Sequence, residues 1–288
     1  MEHILIIGGG VGGALAHDLT LRGYRVTLVE RGELLSGTTG RHHGLLHSGG
    51  RYVFHDAETA RECYEENRIL RHIASEAIEP NGGLFIALNE EDISHQDRFL
   101  EGCNAAGIPT APLSPRQAMS REPALNPALL AAGGVPVAVM DAWRLAMAFF
   151  ATARANGAAI RKFCEVTDLK MLGRQVAGVR VIDHRSGLSE TIGADLVVNA
   201  AGPWSGRIAA MAGIGVPIQP GPGVMVAVRG RVTQAVVNRL HPAGEGDIIV
   251  PQRRLSVLGT TAWLADDPDQ VTAPAEHVAR LFSLCAEL

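Results

Sequence analysis

Apolar residues near the start of the chain run continuously, then fall at helical spacing, then run continuously again. HILIIG is unbroken apolar sequence after its histidine, of strand length and bounded by glycines, as expected of a strand buried on both faces. In GGALAHDLTLRG, Leu15, Ala16 and Leu19 share one helical face and Gly23 supplies the stop. YRVTLVE reads as a second strand, with β-branched Val26, Thr27 and Val29, ending at Glu30. Strand–helix–strand crossovers are right-handed, so the two strands are expected to be parallel neighbours.

The stretch LLSGTTGRHHGLLHSGG has neither a helical nor a strand period, and a loop of that length inside a compact domain usually wraps a ligand. Residues 57–76 return to helical spacing through Ala60, Cys63, Tyr64, Asn67, Leu70 and Ile73. GGLFIAL predicts a strand, EDISHQDRFLEGCNAAG one helix ended by Gly107, and PLSPRQAMSREPALNPAL a short helix between proline turns. A helix is expected over 142–156, with strands over 159–162, 164–171 and 175–182, the last two forming a hairpin around LGR. GADLVVNAAG is a further apolar strand ending in small residues. GVMVAV, DIIVP and LSVLG are short strands among turns, before a helix near 275–288.

This order predicts an α/β fold, a Rossmann-like parallel nucleotide-binding sheet interleaved with a second β-rich substrate-binding layer. No linker separates two halves, so the segments are expected to alternate. Nucleotide-binding segments fall at about 1–76 and 142–215, and substrate-layer segments at about 77–141 and 216–288.

Composition narrows the function. A chain of 288 residues that is 47% hydrophobic can bury a sizeable core. A net charge of -4 and 5% aromatic residues supply neither a basic footprint nor a stacking platform for nucleic acid. No apolar run approaches the roughly 20 residues needed to span a bilayer, and MEHILIIGGG has no basic leader region. Cys63, Cys103, Cys164 and Cys285 are scattered without a CxxC, which suits reduced thiols in a cytoplasmic protein. His42 and His43 lack a third ligand at useful spacing, so no metal site is expected. Glycine is abundant, 33 of 288 residues, against a usual share of about 7%.

Several of those glycines form a motif. Gly8, Gly10 and Gly13 satisfy GxGxxG between the first strand and the first helix, with Val11 and Gly12 inside it. The first glycine permits a tight turn, the second lets a pyrophosphate approach the backbone, and the third brings helix and strand together. Glu30 ends the second strand twenty residues beyond Gly10, where a carboxylate can accept both hydroxyls of an adenosine ribose and repels a 2′-phosphate. That favours FAD or NAD over NADP. The small, donor-rich Ser36, Gly37, Thr38, Thr39 and Gly40 favour FAD, whose extended body needs backbone and small side chains beside it. Asn199, Ala200, Ala201 and Gly202 end a strand with residues small enough to sit against a cofactor, the alternative being tight helix–strand packing.

The block SGTTGRHHGLLHSGGRYVFHDAETARECYEEN resembles the flavin-contacting region of FAD-dependent glycerol-3-phosphate dehydrogenases, most nearly the A subunit of the anaerobic type. That group lies within the D-amino-acid-oxidase-like flavoprotein superfamily. The resemblance continues through EPNGGLFIAL, PALNPAL, VVNAAGPW and DIIVP…GTT, nearly the whole chain. It implies oxidation of sn-glycerol 3-phosphate, a small phosphorylated polyol, to dihydroxyacetone phosphate by hydride transfer to flavin. Electrons would pass through membrane-associated partner subunits to a quinone, with the complex peripheral on the cytoplasmic face of the inner membrane. By the same resemblance Gly8, Gly10, Val11, Gly12, Glu30 and Arg31 hold the ADP half of FAD. Ser36, Gly37, Thr38, Thr39, Gly44, Leu45 and Leu46 line the rest, Val166 faces the adenine end, and Ala201 and Gly202 close the site. Arg51 and Tyr52 match residues near the substrate.

The residues themselves are less specific. Arg51 could clamp a phosphate monoester or form a solvated ion pair. His47 could take the hydroxyl proton as a general base or pack beneath the flavin. Arg253 and Arg254 suit a solvated turn, and Trp204 suits a core position. The family's basic residue before Gly223 is Pro222 here, and its C-terminal arginine and GGK-type segments are absent, so the chain is expected to be a C-terminally incomplete version. Two rival readings stay open: a sister oxidase or dehydrogenase acting on an amino acid or 2-hydroxy acid, since substrate choice lives in few residues, and a non-catalytic fragment that retains the core.

Overall fold

Strand β1 (His3–Ile7) is buried along its whole length, and its side chains alternate between two different cores. Ile4 and Ile6 face helix α1 (Val11–Leu21) and the helix Ala142–Ala155, in a cluster with Ala16, Val26, Leu28 and Phe150. Leu5 and Ile7 point the other way, onto Val166, Val179 and Val181. A strand sandwiched between two layers has no solvent-facing side, which is why its sequence shows no polar alternation. The structure is a computed structural model, and it describes residues 1–242, 244 and 246–288.

The chain divides into two compact units, each built from discontinuous segments. Met1–His42, Ala142–Pro220 and Leu264–Gln270 make the first. Its central sheet is parallel, in the order Leu196–Asn199, β1, β2 (Arg25–Glu30), Ala159–Lys162. The two helices cover one face, and an antiparallel sheet of Cys164–Leu172, Gln175–Asp183 and Ser189–Gly193 packs on the other. Glycine lets α1 lie close to the sheet. A Cβ on Gly12 would stand 2.8 Å from Cγ2 of Ile6, and one on Gly13 2.6 Å from Cζ of Phe150.

The second unit comprises His43–Asp141, Gly221–Trp263 and Val271–Leu288. Its seven-stranded sheet runs Val226–Arg229, Leu255–Leu258, Ile248–Gln252, Val236–Arg239, Gly83–Ala87, Ala131–Val135, Ala111–Leu113. Only the pair Val236–Arg239 with Gly83–Ala87 is parallel. Period-two alternation again separates two cores. Phe85, Val135, Val236 and Val250 pack with Phe54 and Phe99, while Leu84, Ile86, Ala132 and Val237 pack with Ala118, Leu125 and Cys285. A small antiparallel sheet joins Leu45–Leu46, Ala138–Met140 and Ile78–Glu79.

Two helices differ from the sequence expectation, and one strand stands where the sequence suggested no element. The single helix expected over EDISHQDRFLEGCNAAG is two, Glu90–Ser94 and Gln96–Ala105. Asn89 caps the first by accepting from the Asp92 amide, and the buried Asp92 carboxylate accepts from the Leu88 amide at 2.8 Å and from Nε of Arg239 at 3.0 Å. That anchoring fixes the short first helix against its sheet. The helix expected over 57–76 ends at Ile73, because Ala74 leaves helical backbone at φ -141° and a 3₁₀ turn follows. Ala131–Val135, AAGGV, forms a central strand despite poor strand propensity. Two flanking strands and a helix leave no room for larger side chains there, and a Cβ on Gly133 would stand 3.0 Å from Cε1 of Phe99.

Gly13→Val tests the close packing of α1. Overpacking against Phe150 is expected to cost about 1–3 kcal/mol, read as a lower urea midpoint, and an unchanged midpoint would show that the contact yields freely.

Candidate dinucleotide-binding site

The turn after β1 sets the geometry of the site. Gly8 has φ +109°, a backbone region that L side chains avoid, and its amide donates to the Val29 carbonyl at 2.9 Å. The chain then reverses through Gly9 and Gly10 into α1, where the Gly13 amide turns back to the Gly10 carbonyl at 3.0 Å and the amides before it, at the helix N-terminus, have no carbonyl one turn back. Those donors and the positive end of the helix dipole face a cavity of about 700 Å³ in the first unit.

Glu30, at the end of β2, ties the glycine turn down. Its Oε2 accepts from the Gly9 amide at 2.7 Å and its Oε1 from the Gly32 amide at 2.8 Å. A carboxylate has about four lone-pair sites, so each oxygen keeps capacity toward the cavity it lines. Gly8, Gly10, Val11, Glu30 and Arg31 all line that cavity. So do Ser36, Gly37, Thr38 and Thr39 from the loop, Val166 from the antiparallel sheet, and Ala201 and Gly202 after the last parallel strand. Gly12 and Gly13 lie behind the wall, against Ile6 and Phe150.

One side of the cavity was not legible in the motif. Pro268 and Asp269 line it, together with Trp204 and Arg207. The Asp269 carboxylate accepts from Nη2 of Arg31 at 2.8 Å, from Nη1 of Arg207 at 2.6 Å and from Nε1 of Trp204 at 2.9 Å. Hydrogen bonds from Arg31 and Arg207, with a smaller one from Trp204, lower its pKa to about 2. The Arg31 guanidinium stacks over the Trp204 ring at 4.3 Å. Trp204 is thus a half-buried wall residue with a polar partner rather than the core residue its type suggests. The only sequence signal for this side was the acidic run DDPD in an otherwise featureless segment.

Gly44, Leu45, Leu46, His47, Arg51 and Tyr52 belong to the second unit. Leu45 and Leu46 form a short strand paired with Val139 and Ala138. The buried Asn67 amide donates to the carbonyls of Leu46 at 3.1 Å and His47 at 2.9 Å. Nε of Arg71 fixes that amide by donating to its Oδ1 at 2.7 Å. Neither residue was singled out for the site, although a polar Asn67 among apolar positions of its helix was the available signal. The His47 and Tyr52 rings lie 5.7 Å apart. Arg51 donates to Asn238 Oδ1 at 3.4 Å and to the Gly244 carbonyl at 2.9 Å, leaving further N–H groups on its fork. Arg253, by contrast, is an exposed turn residue paired with Asp141.

Burial, with a smaller contribution from the Arg51 charge, lowers the His47 pKa to about 4. The folded protein therefore holds a neutral imidazole at pH 7, while the unfolded chain binds its proton near the ordinary value of about 6.5. Below that value the unfolded state takes up more protons, so stability contributed by neutral His47 is lost as pH falls from about 6.5 toward about 4. Thermal melts between those pH values should fall less steeply for His47→Gln than for the native chain, and parallel slopes would contradict this.

The profile of the family described as FAD dependent oxidoreductase matches residues 3–288. The chain is 45% identical over 275 residues to the A subunit of anaerobic glycerol-3-phosphate dehydrogenase from Escherichia coli (strain K12), covering 94% of this chain and 51% of that protein. It is 43% identical to the A1 subunit of the corresponding dehydrogenase of Haloferax volcanii, covering 99% and 50%. The chain thus spans about half the length of the curated relatives it matches. In fold it is similar to the L-proline dehydrogenase from P. horikoshii, with a TM-score of 0.82 and 24% identity over 100% of this chain and 76% of that one. It is also similar to the Bacillus halodurans glycerol-3-phosphate dehydrogenase complexed with FAD, with a TM-score of 0.75 and 23% identity over 99% and 52%. Among the described residues, no helix is long and apolar enough to cross a membrane.

Proposed function

Because this chain belongs to the FAD-dependent oxidoreductase family, we propose that it binds FAD and forms part of a dehydrogenase oxidising sn-glycerol 3-phosphate to dihydroxyacetone phosphate. The observation that carries this reading is the 45% identity to the A subunit of the anaerobic dehydrogenase, together with a glycine-walled cavity whose rim holds Glu30. The fit to FAD rests on chemistry visible in the first unit. Gly10 and the start of α1 offer amides to a diphosphate, Gly8 makes the turn that lets it approach, and Glu30 offers its remaining lone pairs to ribose hydroxyls. Arg31, Ser36, Gly37, Thr38 and Thr39 supply donors along the wall, and Val166, Ala201 and Gly202 supply small or apolar surface. Gly44, Leu45 and Leu46 are assigned to the cofactor by resemblance.

When bound, FAD supplies a two-electron acceptor for the hydride. The remaining chemistry falls to side chains of the second unit. Oxidising a secondary alcohol also removes the hydroxyl proton, and His47 is assigned to accept it at a ring nitrogen. Its pKa of about 4 keeps the required neutral form at neutral pH. Arg51 is assigned to the substrate phosphate, using fork donors that Asn238 and Gly244 leave over. Tyr52, whose ring lies 5.7 Å from that of His47, is assigned to the substrate by resemblance. The relatives are named as subunits, so electrons are proposed to leave through partner subunits to a quinone at the cytoplasmic membrane face.

The test is a spectrum. The purified 288-residue chain should retain flavin near one equivalent after desalting, and glycerol 3-phosphate, but not glycerol, should bleach its visible absorbance. Bleaching by D-amino acids, sarcosine or 2-hydroxyglutarate would move the substrate to that of a sister enzyme, and a colourless protein would remove the cofactor reading. Glu30→Ala should weaken FAD binding by about 1–3 kcal/mol in a fluorescence titration, since both the turn and the ribose lose a charged acceptor. Unchanged affinity would place the ribose elsewhere.

A further inference from the structure

The segment Leu264–Gln270 belongs to the first unit although the residues flanking it belong to the second. It carries no helix or strand. Its Asp267 and Asp269 engage three separate pieces of the cavity wall. Arg31 follows the β2 carboxylate, Trp204 sits in the turn after the last parallel strand, and Arg207 is in the helix Ser205–Ala210.

We infer that Asp269 is a positioning residue for the dinucleotide, and that the 264–270 segment acts as a strap across the cavity wall that sets how long FAD stays bound. The inference rests on the FAD reading above. Four observations lead to it. The strap lines the cavity itself, through Pro268 and Asp269. Its charges balance those they meet, since Asp269 takes Arg31 and one arm of Arg207 while Asp267 takes the other arm at 2.7 Å. The guanidiniums are thereby held in one orientation, and Arg31 is further fixed by stacking on Trp204. The strap is also shaped for the task, because the Asp267 carboxylate accepts the Asp269 amide at 2.9 Å and closes the turn that presents Asp269.

The Trp204 ring lies close to Gly37, where an added Cβ would be 3.6 Å from Cζ3. Through Trp204 the strap therefore braces the same loop that supplies Ser36, Thr38 and Thr39 to the cavity. Arg31 and Arg207 already have carboxylate partners, so diphosphate charge is left to the glycine turn and α1. The role of the strap is to hold the wall closed, which acts on release more than on capture. The ion pairs are partly exposed, with side-chain exposures of 37–51%, and their contribution is screened by salt.

The experiment is release of FAD from the loaded chain, followed by recovery of flavin fluorescence on dilution. Asp269→Ala should release FAD about tenfold faster than the native chain, the equivalent of about 1.4 kcal/mol, and Asp269→Asn should fall between them. Arg207→Ala should speed release similarly, and the double variant should be no faster than the quicker single one, as expected of two partners in one contact. Salt should accelerate release from the native chain and leave Asp269→Ala almost unaffected, a difference that general loosening of the fold would not produce. Equal release rates from native and Asp269→Ala chains, or rates that multiply in the double variant, would overturn the strap alone. Slower release from Asp269→Ala would show instead that the carboxylate competes with the cofactor. A native chain that takes up no flavin would overturn the FAD reading, and the strap with it.

Discussion

The Glu30 carboxylate joins the turn after β1 to the turn after β2, through the Gly9 and Gly32 amides. The rest of the site depends on that bridge. Two parallel strands side by side leave their ends diverging, and the glycine turn has no side chains of its own to hold it. A charged acceptor bonded to both amides fixes the approach of the turn to the cavity, and it does so with the group that also faces the cavity. One carboxylate therefore both holds the turn and lines the cavity, which explains why an acid so far from Gly10 in sequence belongs to the glycine motif.

Around that bridge the first unit uses small residues where approach must be close and charged pairs where segments must be held apart at a defined distance. Gly12 and Gly13 admit Ile6 and Phe150, so α1 packs closely on the strand and helix behind the cavity wall. Beside the cavity Arg31, Arg207, Asp267 and Asp269 neutralise one another pairwise.

The second unit solves a different problem, that of holding polar groups inside an apolar sheet-and-helix core. Asn67 is buried on its helix, yet its amide bonds two carbonyls of the Leu45–Leu46 strand and its neighbour His47, with Arg71 completing the set. Burial leaves His47 neutral. A neutral imidazole beside an arginine avoids a second cation close to Arg51, so donor and acceptor functions can stand near each other.

How much was legible follows from the range of each interaction. The βαβ opening, the hairpin Cys164–Leu172 with Gln175–Asp183 and the glycine cradle could be read because their causes are local: periodicity, turn chemistry and a fixed spacing to Glu30. The break at His95 and the glycine-rich strand Ala131–Val135 could not, since they depend on the pairing of Asp92 with Arg239, 147 residues away, and on the Phe99 ring pressed on Gly133. The same holds for Asp269, whose partners Arg31 and Arg207 are 238 and 62 residues distant. By itself the sequence determined the strand–glycine turn–helix opening, the family and the acid at the end of β2. Only the tertiary structure decided what closes the cavity wall and which buried amide holds His47, because those bonds join segments whose spacing along the chain carries no trace of their contact.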